Sequence, residues 1–129
     1  MEAKTRYWLE ISEYDLVTAE AVFEKKRFVY VGFMCHQAIE KVLKAYWQST
    51  LCSLPPKTHN LAYLIEKTGL LPTLPASFLD FIDELDPLNI QCRYPEYKEQ
   101  MYRTMDESYS LNILNSAKDL HAWLKTRLS

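Results

Sequence analysis

The stretch "HQAIEKVLKAYW" (residues 36–47) decides the fold. Ala38, Ile39, Val42, Leu43 and Tyr46 recur at steps of three and four, which at about 100° per residue lines one side of a helix. Opposite them His36, Gln37, Glu40, Lys41, Lys44 and Gln48 span about 140° of the wheel. On an ordinary surface helix this second face is solvated. His36 then pairs with Glu40 and Glu40 with Lys44 at i,i+4, each worth about 0.2–0.5 kcal/mol. The alternative is that so specific a polar set is a recognition surface. Either reading leaves the face wet, so Leu43→Ala is expected to cost about 2–5 kcal/mol and Lys44→Ala little.

Working outward, this helix spans about Val29 to Ser49. Gly32 lies inside it at a propensity cost of about 1 kcal/mol, which predicts close approach of a neighbouring helix. Before it, a helix from about Lys4 to Lys26 carries the inward stripe Trp8, Ile11, Asp15, Ala19, Val22 and Phe23. Asp15 is the odd member, because a carboxylate in an apolar stripe must be paired or hydrogen-bonded. It is either a tie to a lysine or helix start, or the acidic member of a polar site between helices.

After the central helix, "LCSLPPKTHN" is a loop, since its two prolines cannot continue a helix. Thr58 is placed to cap the next helix, "HNLAYLIEKT", and Gly69 to stop it. "LLPTLP" is a second loop. A fourth helix turns Phe78, Phe81, Ile82 and Leu85 inward, and Pro87 marks a kink or restart. "CRYPEYKEQMY" reads as a third irregular segment. Thr104 and Glu107 have the spacing of a capping box that opens a last helix to about Arg127. Its stripe is Tyr109, Ile113, Ala117, Leu120, Trp123 and Leu124. No strand pattern and no repeat interrupts this order, so the fold class is all-α, a bundle of three long helices with one or two shorter ones.

Composition narrows the function. At 129 residues the chain is one domain, residues 1–129, and buries roughly two thirds of its unfolded surface. A net charge of −2 gives no global attraction to nucleic acid or anionic lipid, so any phosphate site must be a local patch. No secretory signal is visible, and the longest apolar run, "FVYVGFMC", is too short to span a bilayer. Cys35, Cys52 and Cys92 are an odd set without CxxC spacing, two of them in apolar surroundings, and point to a reduced, cytoplasmic protein without membrane association. Two glycines cannot build a phosphate-cradling loop. His36, His59 and His121 stand in no metal-ligand pair, and no Ser-His-Asp order appears. Neither metal nor cofactor is expected. "KTHN" sets Lys57 and His59 at a helix N-terminus, where backbone N–H groups favour anions. "CRYPEY" adds Arg93 beside Tyr94; the arginine is a fork suited to phosphate, or else one half of a surface bridge to a glutamate. Tyr7, Tyr14 and Tyr30 lie off the inward stripes, which points to a homodimer.

"YDLVTAEAVFEKKRFVYVGFMCHQAIEKVLKAYW", "PPKTHNLAYLI" and "LNIQCRYPEY" together resemble the HEPN domain family, in its short stand-alone prokaryotic branch. The similarity runs from about Tyr7 to Leu128, and "HQAIEKVLKA" with "KTHNL" is its most specific part. The resemblance implies an up-and-down bundle of four to five helices that dimerises, with a nucleotide or RNA as ligand. It also implies a minimal nucleotidyltransferase as partner in a toxin–antitoxin-like pair. RNase members of the family carry an arginine followed, after a short gap, by a histidine near the start of the last helix. Here no histidine closely follows Arg93 or Arg103, and the next is His121, so no catalytic residue is assigned. The candidate ligand-binding set is Asp15, His36, Gln37, Glu40, Lys41, Lys44, Lys57, His59, Arg93 and Tyr94. Three functions follow: a binding module without chemistry of its own; a metal-independent RNase using Arg93 with His36 or His59 as general base; a structural dimer without ligand.

Overall fold

Two long antiparallel helices, α1 (Ala3–Glu24) and α2 (Phe28–Leu51), form the spine of the computed structural model, which describes residues 1–128. The short helix α3 (Leu61–Lys67) follows the Pro55-Pro56 loop, then α4 (Ala76–Leu85), a single turn α5 (Leu88–Gln91), α6 (Lys98–Thr104) and the long α7 (Glu107–Lys125). The expected helices are therefore present. Pro87 separates α4 from α5 as a restart, as its ring requires. The segment expected to be irregular is in fact ordered: Pro95–Tyr97 forms a 3-10 turn that runs directly into α6.

The connections show why the helices stop where they do. After α1, Lys26 takes a left-handed φ of 60°. Its N–H bonds Phe23 O at 2.9 Å while that of Arg27 bonds Val22 O at 2.8 Å, closing the last turn back on itself. Gly69, with φ 74°, does the same after α3, as its position promised. Two expected caps fall to neighbours two residues away. Asn60, not Thr58, caps α3 by accepting Tyr63 N–H at 3.0 Å, and Thr58 instead accepts Asn60 N–H at 3.1 Å. Asp106, not Thr104, caps α7 by accepting Tyr109 N–H at 2.8 Å, because Thr104 still belongs to α6.

The core lies where α2 meets α1 and α7. Gly32 is buried, and a Cβ there would stand 3.0 Å from Leu88 Cδ1 and 3.1 Å from both Cys92 Sγ and Met105 Cε. That is the close approach its sequence position predicts. The stripe of α1 is rotated from the expected one. Thr5, Leu9, Ser12 and Ala19 are buried, while Trp8, Ile11, Asp15, Val22 and Phe23 flank them half-buried. Small Ser12 and Ala19 let α1 approach its neighbours, and the bulky residues close the seams. Ser12 Oγ donates to Leu9 O at 2.6 Å, so its one hydrogen is used and His121 Nε2–H must donate to the same oxygen at 2.9 Å. On α7 Ile113, Ala117, Leu120 and Leu124 are buried as expected, with Tyr109 and Trp123 at the margin.

Candidate functional site

The polar face of α2 is not solvated. His36, Glu40, Lys44 and Gln48 are all buried, because α3 to α5 wrap the side of α2 that α1 and α7 leave uncovered. Both sequence readings of a wet face are thereby corrected. Lys44 in particular is a buried residue, 5% exposed. The expected i,i+4 partners do face each other, but inside the protein.

Glu40, 1% exposed, anchors the face. Its Oε2 accepts from Lys44 Nζ at 3.0 Å and its Oε1 from His59 Nδ1 at 2.8 Å. A carboxylate so enclosed is tolerable because both oxygens are satisfied by cationic or polar donors. The Lys44 ammonium also stands 5.6 Å over the Trp8 ring. One turn earlier, His36 Nε2 donates to Asp86 Oδ1 at 3.3 Å. Its Nδ1, 3.8 Å from Glu40 Oε1, lies beyond hydrogen-bond distance. Asp86 Oδ1 accepts a second bond, 3.2 Å from Leu61 N–H at the start of α3. Burial pushes the Asp86 carboxyl up, but the hydrogen bonds from His36 and from the Leu61 and Ala62 backbone outweigh it and hold the group below its ordinary value.

A second branch runs along the half-buried edge of the face. Lys41 Nζ donates to Gln37 Oε1 at 3.0 Å and stands 3.6 Å from Asp15 Oδ2. Asp15 is thus the tie to a lysine. Burial raises its carboxyl above the ordinary value, more than the Lys41 charge lowers it. Gln37 Nε2 donates to Asn89 Oδ1 at 3.2 Å, and Asn89 O accepts from Arg93 Nε at 2.6 Å. The guanidinium lies 5.1 Å over the Phe33 ring and 5.8 Å from that of Tyr94. No glutamate pairs with Arg93 among the described residues.

The two branches surface at one open cleft of about 520 Å³, lined by His59, Asn60, Asp86, Asn89, Arg93 and Tyr94 with Pro87 and Ile90. Of the ten candidate residues, then, His59, Arg93 and Tyr94 face this cleft. Glu40, Asp15, Gln37 and Lys41 support the residues around it. Lys44 is neutralised inside the protein. His36 is fully buried and cannot reach a ligand, which removes it as a general base. Lys57 is exposed on its loop and does not line the cleft. Lys41, Lys44, Lys57, His59 and Arg93 do not gather in one pocket, and Arg93 is the cation of this cleft. Sequence reasoning missed Asp86 and Asn89. Their signals are an acid immediately before Pro87, ending α4, and a polar residue four before Arg93. Among the described residues no group of three or more His, Cys, Asp or Glu is placed to hold a metal ion.

The HEPN domain family model matches residues 5–127. Two solved structures superpose closely. One is TT1696 from Thermus thermophilus, with a TM-score of 0.78 at 20% identity over 98% of this chain and all of that one. The other is ST0689, an archaeal HEPN homologue, with a TM-score of 0.78 at 23% identity over the full length of both chains. At these identities the likeness speaks for the fold. No curated protein matches.

Proposed function

Because the chain belongs to the HEPN domain family, we propose that it is a nucleotide- or RNA-binding module that works as a homodimer and as the partner of a minimal nucleotidyltransferase in a toxin–antitoxin-like pair. The observation that supports the ligand class is the mounting of Arg93. Its Nε is committed to Asn89 O and its plane rests on the Phe33 ring, while its terminal nitrogens make no hydrogen bond or ion pair among the described residues. A guanidinium held in this way grips a phosphate with two parallel hydrogen bonds at little further entropic cost, and a lysine cannot reproduce that geometry. Tyr94, 48% exposed beside it, offers a ring for a base. Arg93→Lys is expected to weaken binding of a nucleotide or short RNA about tenfold, on the order of 1–2 kcal/mol. The test is a titration of both proteins with a nucleotide panel, beside a thermal melt. Unchanged affinity with a clearly lowered melting temperature makes Arg93 a structural residue and overturns the reading.

The setting we propose is cytoplasmic. Cys35, Cys52 and Cys92 are unpaired. Burial pushes the Cys35 thiol up to about 12 and the Cys92 thiol up to about 11, so neither forms thiolate readily. No helix among the described residues is long and apolar enough to cross a membrane.

A second reading, metal-independent RNA cleavage, is favoured by one contact. His59 Nδ1 donates to Glu40, which fixes the tautomer and leaves Nε2 as the acceptor on a side chain that is 60% exposed at the cleft. That is the arrangement a general base for a ribose 2′-hydroxyl needs, with Arg93 on the phosphate. RNA cleavage that persists in EDTA and is lost in His59→Gln supports an enzyme. Intact RNA beside measurable binding leaves the binding module.

A further inference from the structure

Away from the Arg93 cleft, the start of α1 and the end of α2 border an open hollow of about 460 Å³, lined by Glu2, Lys4, Thr5, Gln48 and Cys52 with Ser49. It shares no lining residue with that cleft, and its volume lies in the range of small-molecule sites, roughly 300–1,000 Å³. Thr5 and Gln48 are 1% and 4% exposed, so they form its floor. Thr5 Oγ1 and Gln48 Oε1 are buried there without a hydrogen-bond partner among the described residues. Folded proteins keep few such atoms, because an unmade buried hydrogen bond is costly. Here two of them belong to the wall of one hollow.

The unmet groups specify a ligand chemistry. The Gln48 amide oxygen can only accept, and the Thr5 hydroxyl has a hydrogen to donate. A peptide group answers both, offering its N–H to the first and its C=O to the second. At the rim Lys4 and Glu2 are exposed and in no ion pair among the described residues, which suits a carboxylate and an ammonium on the same molecule. No side chain caps α1, so the first-turn N–H groups beside Lys4 favour the carboxylate as well. The remaining wall is Cys52, an exposed thiol, whereas Cys35 and Cys92 are buried. Cys52 ends α2 in a left-handed conformation, φ 53°, with its Sγ 3.9 Å from Ser49 O. A thiol on the wall of a hollow that suits a charged peptide is placed for exchange with a peptide disulfide.

We propose that this hollow binds a short zwitterionic peptide disulfide and takes one half of it onto Cys52 as a mixed disulfide. The Cys52 thiol loses its proton to water, and the thiolate attacks one sulfur of the ligand. A new S–S bond forms as the old one breaks, and the other half leaves with the electron pair and takes up a proton as a free thiol. Cys52 is oxidised and the departing half is reduced, so no further oxidant is needed. A disulfide without peptide groups or charges meets the same thiol but neither the floor nor the rim.

The test follows adduct formation at Cys52 by mass spectrometry, with glutathione disulfide and the uncharged hydroxyethyl disulfide as probes. The ratio of their rates on the urea-unfolded chain is the reference, which cancels intrinsic differences between the two reagents. In the folded protein the ratio is expected to favour glutathione disulfide by a further factor of about ten or more, the effect of one charge-assisted hydrogen bond. S-methylglutathione, which cannot exchange, is expected to slow the reaction by occupying the hollow. Lys4→Gln and Gln48→Leu should each bring the ratio back toward the reference. Gln48→Leu should also melt no lower than wild type, since it removes a buried acceptor that the fold leaves unpaired. A folded ratio equal to the reference, or one that either substitution leaves unmoved, overturns the site and makes Cys52 merely exposed. So does an adduct on Cys35 or Cys92 ahead of Cys52, or no adduct at all. A Gln48→Leu protein that melts clearly lower places its oxygen in a bond of the fold, which overturns the peptide seat.

Discussion

At Lys44 and Glu40 one buried hydrogen bond makes costly a substitution that a solvated face would tolerate. Replacing Lys44 with alanine empties its place against Trp8 and leaves Glu40 buried with His59 as its remaining donor. Removing one partner of a buried pair costs about 3–5 kcal/mol, so Lys44→Ala is expected to destabilise as much as Leu43→Ala at about 2–5 kcal/mol. Urea denaturation of both variants checks this, and a nearly neutral Lys44→Ala would mean the pair is solvated. His121 sets a pH dependence. Burial is the main cause that lowers its folded pKa; Glu13 raises it and Lys125 lowers it, and these two residues are themselves paired at 2.8 Å. The sign follows from which state binds the proton first. As pH falls through 6.5 the unfolded chain takes it up while the folded protein resists. Stability is therefore lost on acidification, by up to about 1.4 kcal/mol per pH unit, until the folded pKa is reached. His121→Gln keeps an N–H donor for Ser12 but cannot titrate. Its denaturation midpoint is expected to fall less than that of wild type between pH 7.5 and 5.5, whereas equal slopes would assign the acid sensitivity to other groups.

At the scale of the element, α2 depends on a residue that is weak in isolation. Gly32 costs helix propensity, yet Leu88, Cys92 and Met105 reach toward it at 3.0 to 3.1 Å from where a Cβ would stand. Alanine recovers about 1 kcal/mol of propensity and forfeits a similar amount in displaced neighbours. Gly32→Ala is therefore expected to be near neutral and Gly32→Val to cost about 3 kcal/mol or more, read as shifts in denaturation midpoint. The helices themselves were legible because three-and-four spacing reports directly on a buried stripe. The caps were less so, since Thr58 and Asn60, like Thr104 and Asp106, are rival oxygen-bearing residues two positions apart. Backbone geometry beyond the local sequence chose between them: Asn60 and Asp106 adopt extended conformations immediately before the first helical residue, while Thr104 is still inside α6. The buried polar face was not legible at all. Whether His36 and Glu40 meet water depends on where α3 to α5 return in space, and helical periodicity carries no information about a third wall. Asp86 and Asn89 were missed for the same reason, as their partners lie 50 and 52 residues away.

The whole molecule leaves one apolar surface unaccounted for. Along the outer side of α1, Tyr7, Tyr14 and Val17 are 62%, 76% and 67% exposed. Offsets of seven and ten residues keep them within about 80° of one another on the helix. Leu54, 72% exposed, joins Tyr7 and Trp8 at the N-terminal end of this side in a hollow of about 300 Å³. Single exposed apolar residues are normal, but three large apolar groups on one side of one helix, with exposed Glu10 among them, are what an isologous contact between copies can use. Dimerisation through α1 is therefore expected. Light scattering at micromolar concentration should give about twice the 15.2 kDa chain mass. Val17→Asp places a charge in the row without touching the core, so it should return the protein to the mass of one chain with its melting behaviour otherwise set by the monomer. A wild-type mass of one chain would count against the homodimer itself. A dimer that survives both Val17→Asp and Tyr14→Glu would move the contact off α1, and nucleotide affinity measured on the same variants would then tell whether the assembly and the Arg93 cleft depend on each other.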